Sequence, residues 1–209
     1  MNSFKHRLEQ QNKSLGAVVL AGGLARRMGG QDKGLVCINN KPMASWVVDA
    51  LVASVHSLVI NANRNLDRYQ LLGVPVVADT LSGHLGPLAG LSAALGSMNT
   101  DYVFMCPCDS PFITPNLLDH MGYALLDANS DIAVAHDGLR MQPVFAVVSR
   151  RCTQSLNEFL ESGERKIDRW YGSQNMIEVP SAEFAACFQN INTEPERLSA
   201  ERALMDTRS

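Results

Sequence analysis

The chain is expected to fold as an α/β protein, with a mainly parallel sheet covered by helices on both faces and an antiparallel element in the C-terminal half. Three observations predict this. Short β-branched runs alternate with longer amphipathic ones from residue 16 to about residue 126. The short runs are apolar on both faces, as strands between two helical layers must be. After residue 130 the pattern changes, and two apolar runs flank Asp137-Gly138, a strong turn signal.

In chain order, the first 14 residues, MNSFKHRLEQQNKS, are polar, lack the apolar core and cleavage site of a secretory signal, and read as a flexible tail. Residues 15–209 then read as one domain, with no internal repeat or linker to divide them. Buried strands are expected at Gly16–Leu20, Ser57–Asn61, Val74–Ala78 and Tyr102–Met105. Helices are expected from Pro42 to about Ala53, from Pro87 to about Leu95, and from Thr114-Pro115 to about Leu126, where Thr114 offers an N-cap and Pro115 a first-turn proline. Repeated strand–helix–strand order implies right-handed crossovers. Asp131–His136 and Gln142–Val148 form the antiparallel pair. A helix from about Cys152 to Ser162, a strand near Met176–Val179 and a last helix from about Glu194 to Met205 complete the chain.

Composition narrows the function. A length of 209 residues suits one globular domain, and a net charge of −3 makes no broad field of either sign. Nucleic-acid binding through the phosphate backbone and adsorption to an anionic membrane are therefore disfavoured. The strongly apolar stretches are far shorter than the ~20 residues of a membrane span. Five cysteines, an odd number in a chain able to build a core without staples, point to a reducing compartment and a cytoplasmic protein. Cys106 and Cys108 lack the second pair that a zinc site needs, and read as small buried thiols.

In an open parallel sheet, ligand chemistry belongs at the carboxyl ends of the strands, near the switch in strand order. The informative polar residues all come directly after candidate strands: the loop 21–33, Asn61, Asp79 and Asp109. In the first of these, Leu20-Ala-Gly-Gly-Leu-Ala-Arg-Arg-Met-Gly-Gly-Gln-Asp-Lys33, Gly22, Gly23, Gly29 and Gly30 allow backbone N–H groups close to a phosphate chain, and Arg26, Arg27 and Lys33 add positive charge. The glycines do not stand as GxGxxG, and Lys33 is followed by Gly34 and not Ser or Thr, so neither the dinucleotide fingerprint nor the Walker A loop is present. Without further information a solvated, flexible loop remains an alternative.

The full spelling, LAGG, then RMGG, then DKGL, resembles the signature of the molybdenum cofactor guanylyltransferases, a branch of the nucleotide-triphosphate transferases. Related sugar-phosphate nucleotidyltransferases and isoprenoid cytidylyltransferases end this loop in Pro-Lys, whereas Asp32-Lys33 stands here. Further motifs occur in the family's order: Asn61-Ala-Asn-Arg64, Asp79, Gly86-Pro-Leu-Ala-Gly90, Pro107-Cys-Asp-Ser-Pro-Phe112, Gln142-Pro-Val-Phe145 and Asn190-Ile-Asn-Thr193. The resemblance implies a Rossmann-like three-layer sandwich.

It also implies roles. Leu20, Ala21 and Gly22 would give backbone contacts to the nucleotide, with Asn61 and Asp79 as further guanine-nucleotide contacts, Asp79 at either base or ribose. Lys33, assisted by Arg27, would neutralise charge as pyrophosphate leaves. Asp109, held between Pro107 and Pro111, would carry Mg²⁺, which takes hard oxygen ligands and few protein carboxylates. A turn-forming aspartate is the plainer alternative for it. Asn190, Asn192 and Gln142, with the segment 163–166, would lie towards the pterin. Gly86–Gly90 reads either as a close approach to nucleotide or as a helix start. Where the family often reads Asn-x-Asn-Thr-Pro-Glu, one added residue here gives Thr193-Glu-Pro195-Glu. His56, His84, His120 and His136 have no mutually supporting spacing, and no catalytic base is assigned.

The resulting expectation is a magnesium-dependent transfer of GMP from GTP to the terminal phosphate of Mo-molybdopterin. Other cofactor-biosynthesis proteins and apo-molybdoenzymes are further partners to expect. The rivals are a cytidylyltransferase acting on the same pterin and a non-catalytic nucleotide-binding chaperone of molybdoenzymes.

Overall fold

Strand alternation divides the core. In β1 (Leu15–Leu20), Ala17 and Val19 enter one hydrophobic cluster while Val18 enters another, the period-2 behaviour of a strand buried on both faces. The computed structural model describes residues 3–22, 32–80 and 86–206.

Ahead of β1 stands α1 (Phe4–Glu9). After it, a 3-10 turn (Lys33–Leu35) leads into the two-residue strands β2 (Cys37–Ile38) and β3 (Lys41–Pro42), then α2 (Met43–Leu51), β4 (Ser57–Asn61), α3 (Leu66–Gln70) and β5 (Val76–Val77). The chain continues through α4 (Pro87–Ser97), β6 (Tyr102–Pro107), α5 (Pro115–Asp127), β7 (Ile132–His136), β8 (Met141–Ser149), α6 (Thr153–Glu161), α7 (Ile167–Tyr171), β9 (Met176–Pro180) and α8 (Glu194–Asp206). The main sheet has seven strands in the order β5-β4-β1-β6-β8-β7-β9. β8 pairs antiparallel with both β6 and β7, and the other pairings are parallel.

Helices α1, α2 and α5 cover one face and α4, α6 and α7 the other, giving the expected three layers. A smaller cluster, Ile38, Met43, Ile191, Ala200 and Leu204, fixes α8 against the β2–β3 hairpin. Among the described residues no helix is long and apolar enough to cross a membrane. The cysteines are free, with Cys37 exposed and Cys106, Cys108, Cys152 and Cys187 buried.

Several expectations need correction. The N-terminal segment is not a tail over its described part: Phe4 and Leu8 are fully buried, and the Phe4 N–H donates to Asp119 Oδ1 at 2.7 Å. Two apolar residues four apart give a short polar helix one buried stripe. Val74–Ala78 contracts to the two residues of β5, half-buried at the sheet edge. Thr114 precedes α5 in extended conformation but makes no capping hydrogen bond, its Oγ1 lying 3.8 Å from Cys187 Sγ. The hairpin turn is longer than Asp137-Gly138: Asp137 Oδ1 accepts from the N–H groups of Leu139 and Arg140, and Gly138 takes φ +96°. The β7–β8 register shifts between Val134 and Ala135, opposite the segment holding Pro143, which has no N–H to give the ladder.

Candidate functional site

From β1 the chain first adds β4 and β5 on one side, then crosses to add β6 on the other. The carboxyl ends of β1, β4 and β6 therefore meet at the switch in strand order, where a crevice forms. Hydrogen bonds run past the strand ends and fix the loops beyond them: the Ala21 N–H donates to the Asn61 carbonyl at 2.8 Å and the Cys108 N–H to the Leu20 carbonyl at 3.0 Å. Leu20, Ala21, Asn61 and Asp109 are thereby held side by side.

Asp109 is 8% exposed and its Oδ2 accepts from Lys33 Nζ at 3.1 Å, across 76 residues of sequence. Lys33 Nζ also donates to Asn192 Oδ1. The segment carrying Asn192 runs against Asp109, since the Ile191 N–H donates to the Asp109 carbonyl at 3.0 Å and Ser110 Oγ donates to Asn190 Oδ1 at 2.7 Å. Three parts of the chain, the end of the glycine-rich loop, the loop after β6 and the approach to α8, thus converge on one ammonium group. Asp109 Oδ1 takes no hydrogen bond from a described residue. Burial, led by desolvation, pushes the neighbouring Cys108 thiol well above its ordinary range, so it stays neutral and contributes no charge.

A single hard carboxylate beside an ammonium suits Mg²⁺, which takes one or two protein carboxylates and completes its shell with phosphate oxygens and water. No group of three or more His, Cys, Asp or Glu capable of holding a metal by itself occurs among the described residues. The donor set fits a metal that arrives with a polyphosphate better than a closed structural site.

A second polar group lies beside the first. Asp79 accepts from Asn61 Nδ2 at 2.9 Å and from Asn63 Nδ2 at 2.8 Å, one on each oxygen, and its own N–H donates to Asn63 Oδ1 at 2.8 Å. Each carboxylate oxygen keeps a second acceptor direction for a ligand N–H or O–H. Asn61 is packed tightly: a Cβ on Gly90 would come within 2.4 Å of its Oδ1. Gly90 therefore serves the close approach of α4 to Asn61, while Gly86, at φ +75°, and Pro87 begin that helix.

Of the other expected site residues, Gly22 sits beside this group, where an added Cβ would lie 3.2 Å from Asn63 Nδ2. Arg26, Arg27, Gly23, Gly29, Gly30 and His84 fall outside the described residues. Gln142 lies at the same end of the sheet, but its described hydrogen bond, from Nε2 to Asp137 Oδ2 at 2.6 Å, closes the β7–β8 turn and not the Lys33 cluster. Arg165 caps α6 by donating to the Leu160 carbonyl at 2.6 Å. His56 is a core-edge residue, its Nδ1 accepting from the Leu15 N–H at 3.0 Å.

Sequence reasoning missed the buried contacts of Asp32, the residue before Lys33. Asp32 is 7% exposed and accepts from the Tyr69 hydroxyl at 2.5 Å and from Asn65 Nδ2 at 3.0 Å, with Arg64 Nε at 3.4 Å. Its carboxylate is thus turned towards α3 and makes no capping bond to its own 3-10 turn. Gly34 permits this packing, since its Cβ would lie 2.5 Å from the Tyr69 oxygen. Burial pushes the Tyr69 phenol far above its ordinary pKa, so it donates at every working pH. Tyr69→Phe leaves a buried carboxylate short of one donor, a loss of about 1–3 kcal/mol that a denaturation midpoint checks. An unchanged midpoint would mean that Asn65 and Arg64 satisfy Asp32 without it.

Residues 17–177 match the family model described as MobA-like NTP transferase domain. A protein of Shewanella loihica named molybdenum cofactor guanylyltransferase is 42% identical over 188 residues, 90% of this chain and 96% of that protein. One of the same name from Shewanella putrefaciens is 45% identical over 181 residues, 87% of this chain and 93% of that protein. Among solved structures, molybdopterin-guanine dinucleotide biosynthesis protein A of Archaeoglobus fulgidus superposes with a TM-score of 0.75 at 22% identity, covering 91% of this chain and 99% of its own. The 4-diphosphocytidyl-2C-methyl-D-erythritol synthase of Anaerococcus prevotii gives 0.69 at 10% identity, covering 92% and 99%. At such identities these structures share the fold.

Proposed function

The chain belongs to the family of the MobA-like NTP transferase domain, and on that premise we infer that it is a molybdenum cofactor guanylyltransferase, moving GMP from GTP to the terminal phosphate of Mo-molybdopterin and releasing pyrophosphate. The observation that carries this reading is the convergence of Lys33, Asp109 and Asn192 at the switch in strand order. The identity of 42–45% to guanylyltransferases over about nine-tenths of the chain selects the nucleotide and acceptor.

In the reaction an oxygen of the pterin's terminal phosphate forms a bond to the α-phosphorus of GTP as the bond to the bridging oxygen of pyrophosphate breaks. A phosphate monoester has its second pKa near ~6 and attacks already ionised, so no side-chain base is needed. The protein's work is positioning and neutralisation. Lys33 Nζ, with one donor on Asn192 and one on Asp109, has a third to direct at a phosphate oxygen. Asp109 would hold the Mg²⁺, which when bound would supply charge neutralisation and a template for in-line geometry. Arg27, which belongs by sequence to the same glycine-rich loop, would add positive charge for the triphosphate. Backbone groups of Leu20, Ala21 and Gly22 line the nucleotide, and Asn61 and Asp79 stand where the nucleoside would lie. A carboxylate can accept from guanine N1–H and N2–H₂, which selects guanine over adenine. Asn190, Asn192 and, more remotely, Gln142 face the acceptor. The setting is the cytoplasm, and apo-molybdoenzymes and other cofactor-biosynthesis proteins are the expected recipients and suppliers.

Thermal unfolding with Mg²⁺ and each of GTP, CTP, ATP and UTP tests the nucleotide. A ligand that binds only the folded state stabilises it by about 2.7 kcal/mol at a hundred times its Kd, so GTP gives the largest rise in Tm. A larger rise with CTP would replace the guanylyl assignment by the cytidylyl one. Pyrophosphate release on adding Mo-molybdopterin separates an enzyme from a chaperone.

A further inference from the structure

We propose that Glu196, at the start of α8, is a positioning residue for Lys33, acting through Asn192; the proposal rests on the reading that Lys33 meets the triphosphate. Glu196 Oε2 accepts from the backbone N–H groups of Asn192 at 2.6 Å and Thr193 at 2.9 Å, and the Glu196 N–H donates to Thr193 Oγ1 at 3.4 Å. This is a capping box, a threonine and a glutamate three residues on that satisfy each other's exposed N–H groups. Here the carboxylate reaches one residue further back and fixes the peptide of Asn192 itself. The hydrogen bond from Asn192 leads the causes that hold the Glu196 carboxyl below the usual range, so it remains an acceptor at working pH.

Helix α8 grips both ends of Lys33. Its body packs on the hairpin that comes after Lys33: Asn39 Nδ2 donates to the Glu201 carbonyl at 3.0 Å, the Asn39 N–H to Glu201 Oε1 at 3.3 Å, and Arg197 to the Cys37 carbonyl at 3.4 Å. Its capped start holds Asn192, whose Oδ1 accepts from the Lys33 ammonium. The backbone after Lys33 and the charge at its tip thus refer to one rigid element. The Asn192 contact aims the ammonium independently of Asp109. The residue by which this chain departs from the usual Asn-x-Asn-Thr-Pro-Glu spelling, where Thr and Glu stand two apart, places Thr193 and Glu196 at the three-residue spacing of a capping box.

The test compares wild type, Glu196→Ala, Glu196→Gln and Asn192→Ala by steady-state GMP transfer and by acylation of Lys33 read out by mass spectrometry. A misplacement well under an ångström at a charge clamp lowers turnover appreciably, and Glu196→Ala is expected to reduce kcat about tenfold. Its KM for GTP stays within about twofold, since the missing interaction acts on the transition state. Lys33 is acylated several times faster. Glu196→Gln, whose amide oxygen can still accept, recovers kcat to within about threefold of wild type. Asn192→Ala reproduces the Glu196→Ala phenotype, and the double variant loses no more than either single one. The proposal is overturned if Glu196→Ala keeps wild-type kcat and Lys33 reactivity, or if Glu196→Gln is as impaired as Glu196→Ala. Faster Lys33 acylation in Glu196→Ala beside a wild type that makes no product from GTP would preserve the positioning role and remove the proposed function instead.

Discussion

Asp109→Ala lowers kcat by roughly a thousandfold or more, the scale of removing a preorganised charge from an active site, while the protein remains folded. Both halves come from the geometry. Asp109 holds Lys33 through Oδ2, and on the proposed function its Oδ1 would meet the metal, so its loss would remove that ligand together with one of two partners that aim the ammonium. Stability responds far less. The loop keeps its backbone bonds, from Cys108 to Leu20 and from Ile191 to the Asp109 carbonyl, and neither depends on the side chain. Lys33 retains Asn192 and is partly solvated, so it is not left as a buried unpaired charge. Asp109→Asn separates charge from shape: it fills the same volume and is expected to lose nearly as much turnover. Product formation at the wild-type rate by either variant, measured as pyrophosphate release with GTP and Mo-molybdopterin, would remove Asp109 from the mechanism.

How far the sequence discloses this site depends on how local each interaction is. Asn61, Asp79 and Asp109 were legible because each lies at or just past the end of an apolar run, and a parallel sheet delivers the ends of such runs to one edge. The same logic placed Lys33 near them but could not say that Asn192, 159 residues away, would share its ammonium. Asp32 shows the limit most clearly. Its spelling beside Lys33 sets this chain apart from the Pro-Lys relatives but does not disclose that its carboxylate faces Tyr69, 37 residues on, because α3 packs beneath the loop. Gln142 is likewise a polar residue at the expected sheet edge, and the hydrogen bond it makes closes its own hairpin. Glu196 was readable in principle, since Thr193-x-x-Glu196 ahead of a helix is a capping signature. What it secures, the peptide before the cap, is a tertiary fact.

Phe4→Ala is expected to destabilise the protein by about 3–5 kcal/mol, a large share of the 5–15 kcal/mol that holds a typical domain together. The six residues of α1 cannot be a stable helix alone, so their order must come from what they cover. Phe4 is fully buried, with its ring 6.1 Å from that of Tyr102 and 6.2 Å from that of Tyr123, both edge-on. Edge-on pairs add to the area term. The fit is close on the third side, where a Cβ on Gly122 would come within 2.2 Å of the Phe4 ring. Helix propensity alone would make Gly122→Ala stabilising by about 1 kcal/mol, but overpacking against a fully buried ring typically costs 1–3 kcal/mol, so that variant too should lose stability. For a chain of this size, Phe4→Ala lowers Tm by roughly 6–20 °C. Turnover at 25 °C should hardly change, because Tyr102 begins β6 and Asp109 lies beyond its far end, about 20 Å away by strand rise. If the polar N-terminus were only a tail, Phe4→Ala would leave Tm where it was; a fall in Tm at constant kcat assigns those residues to the core of the sheet and not to its chemistry.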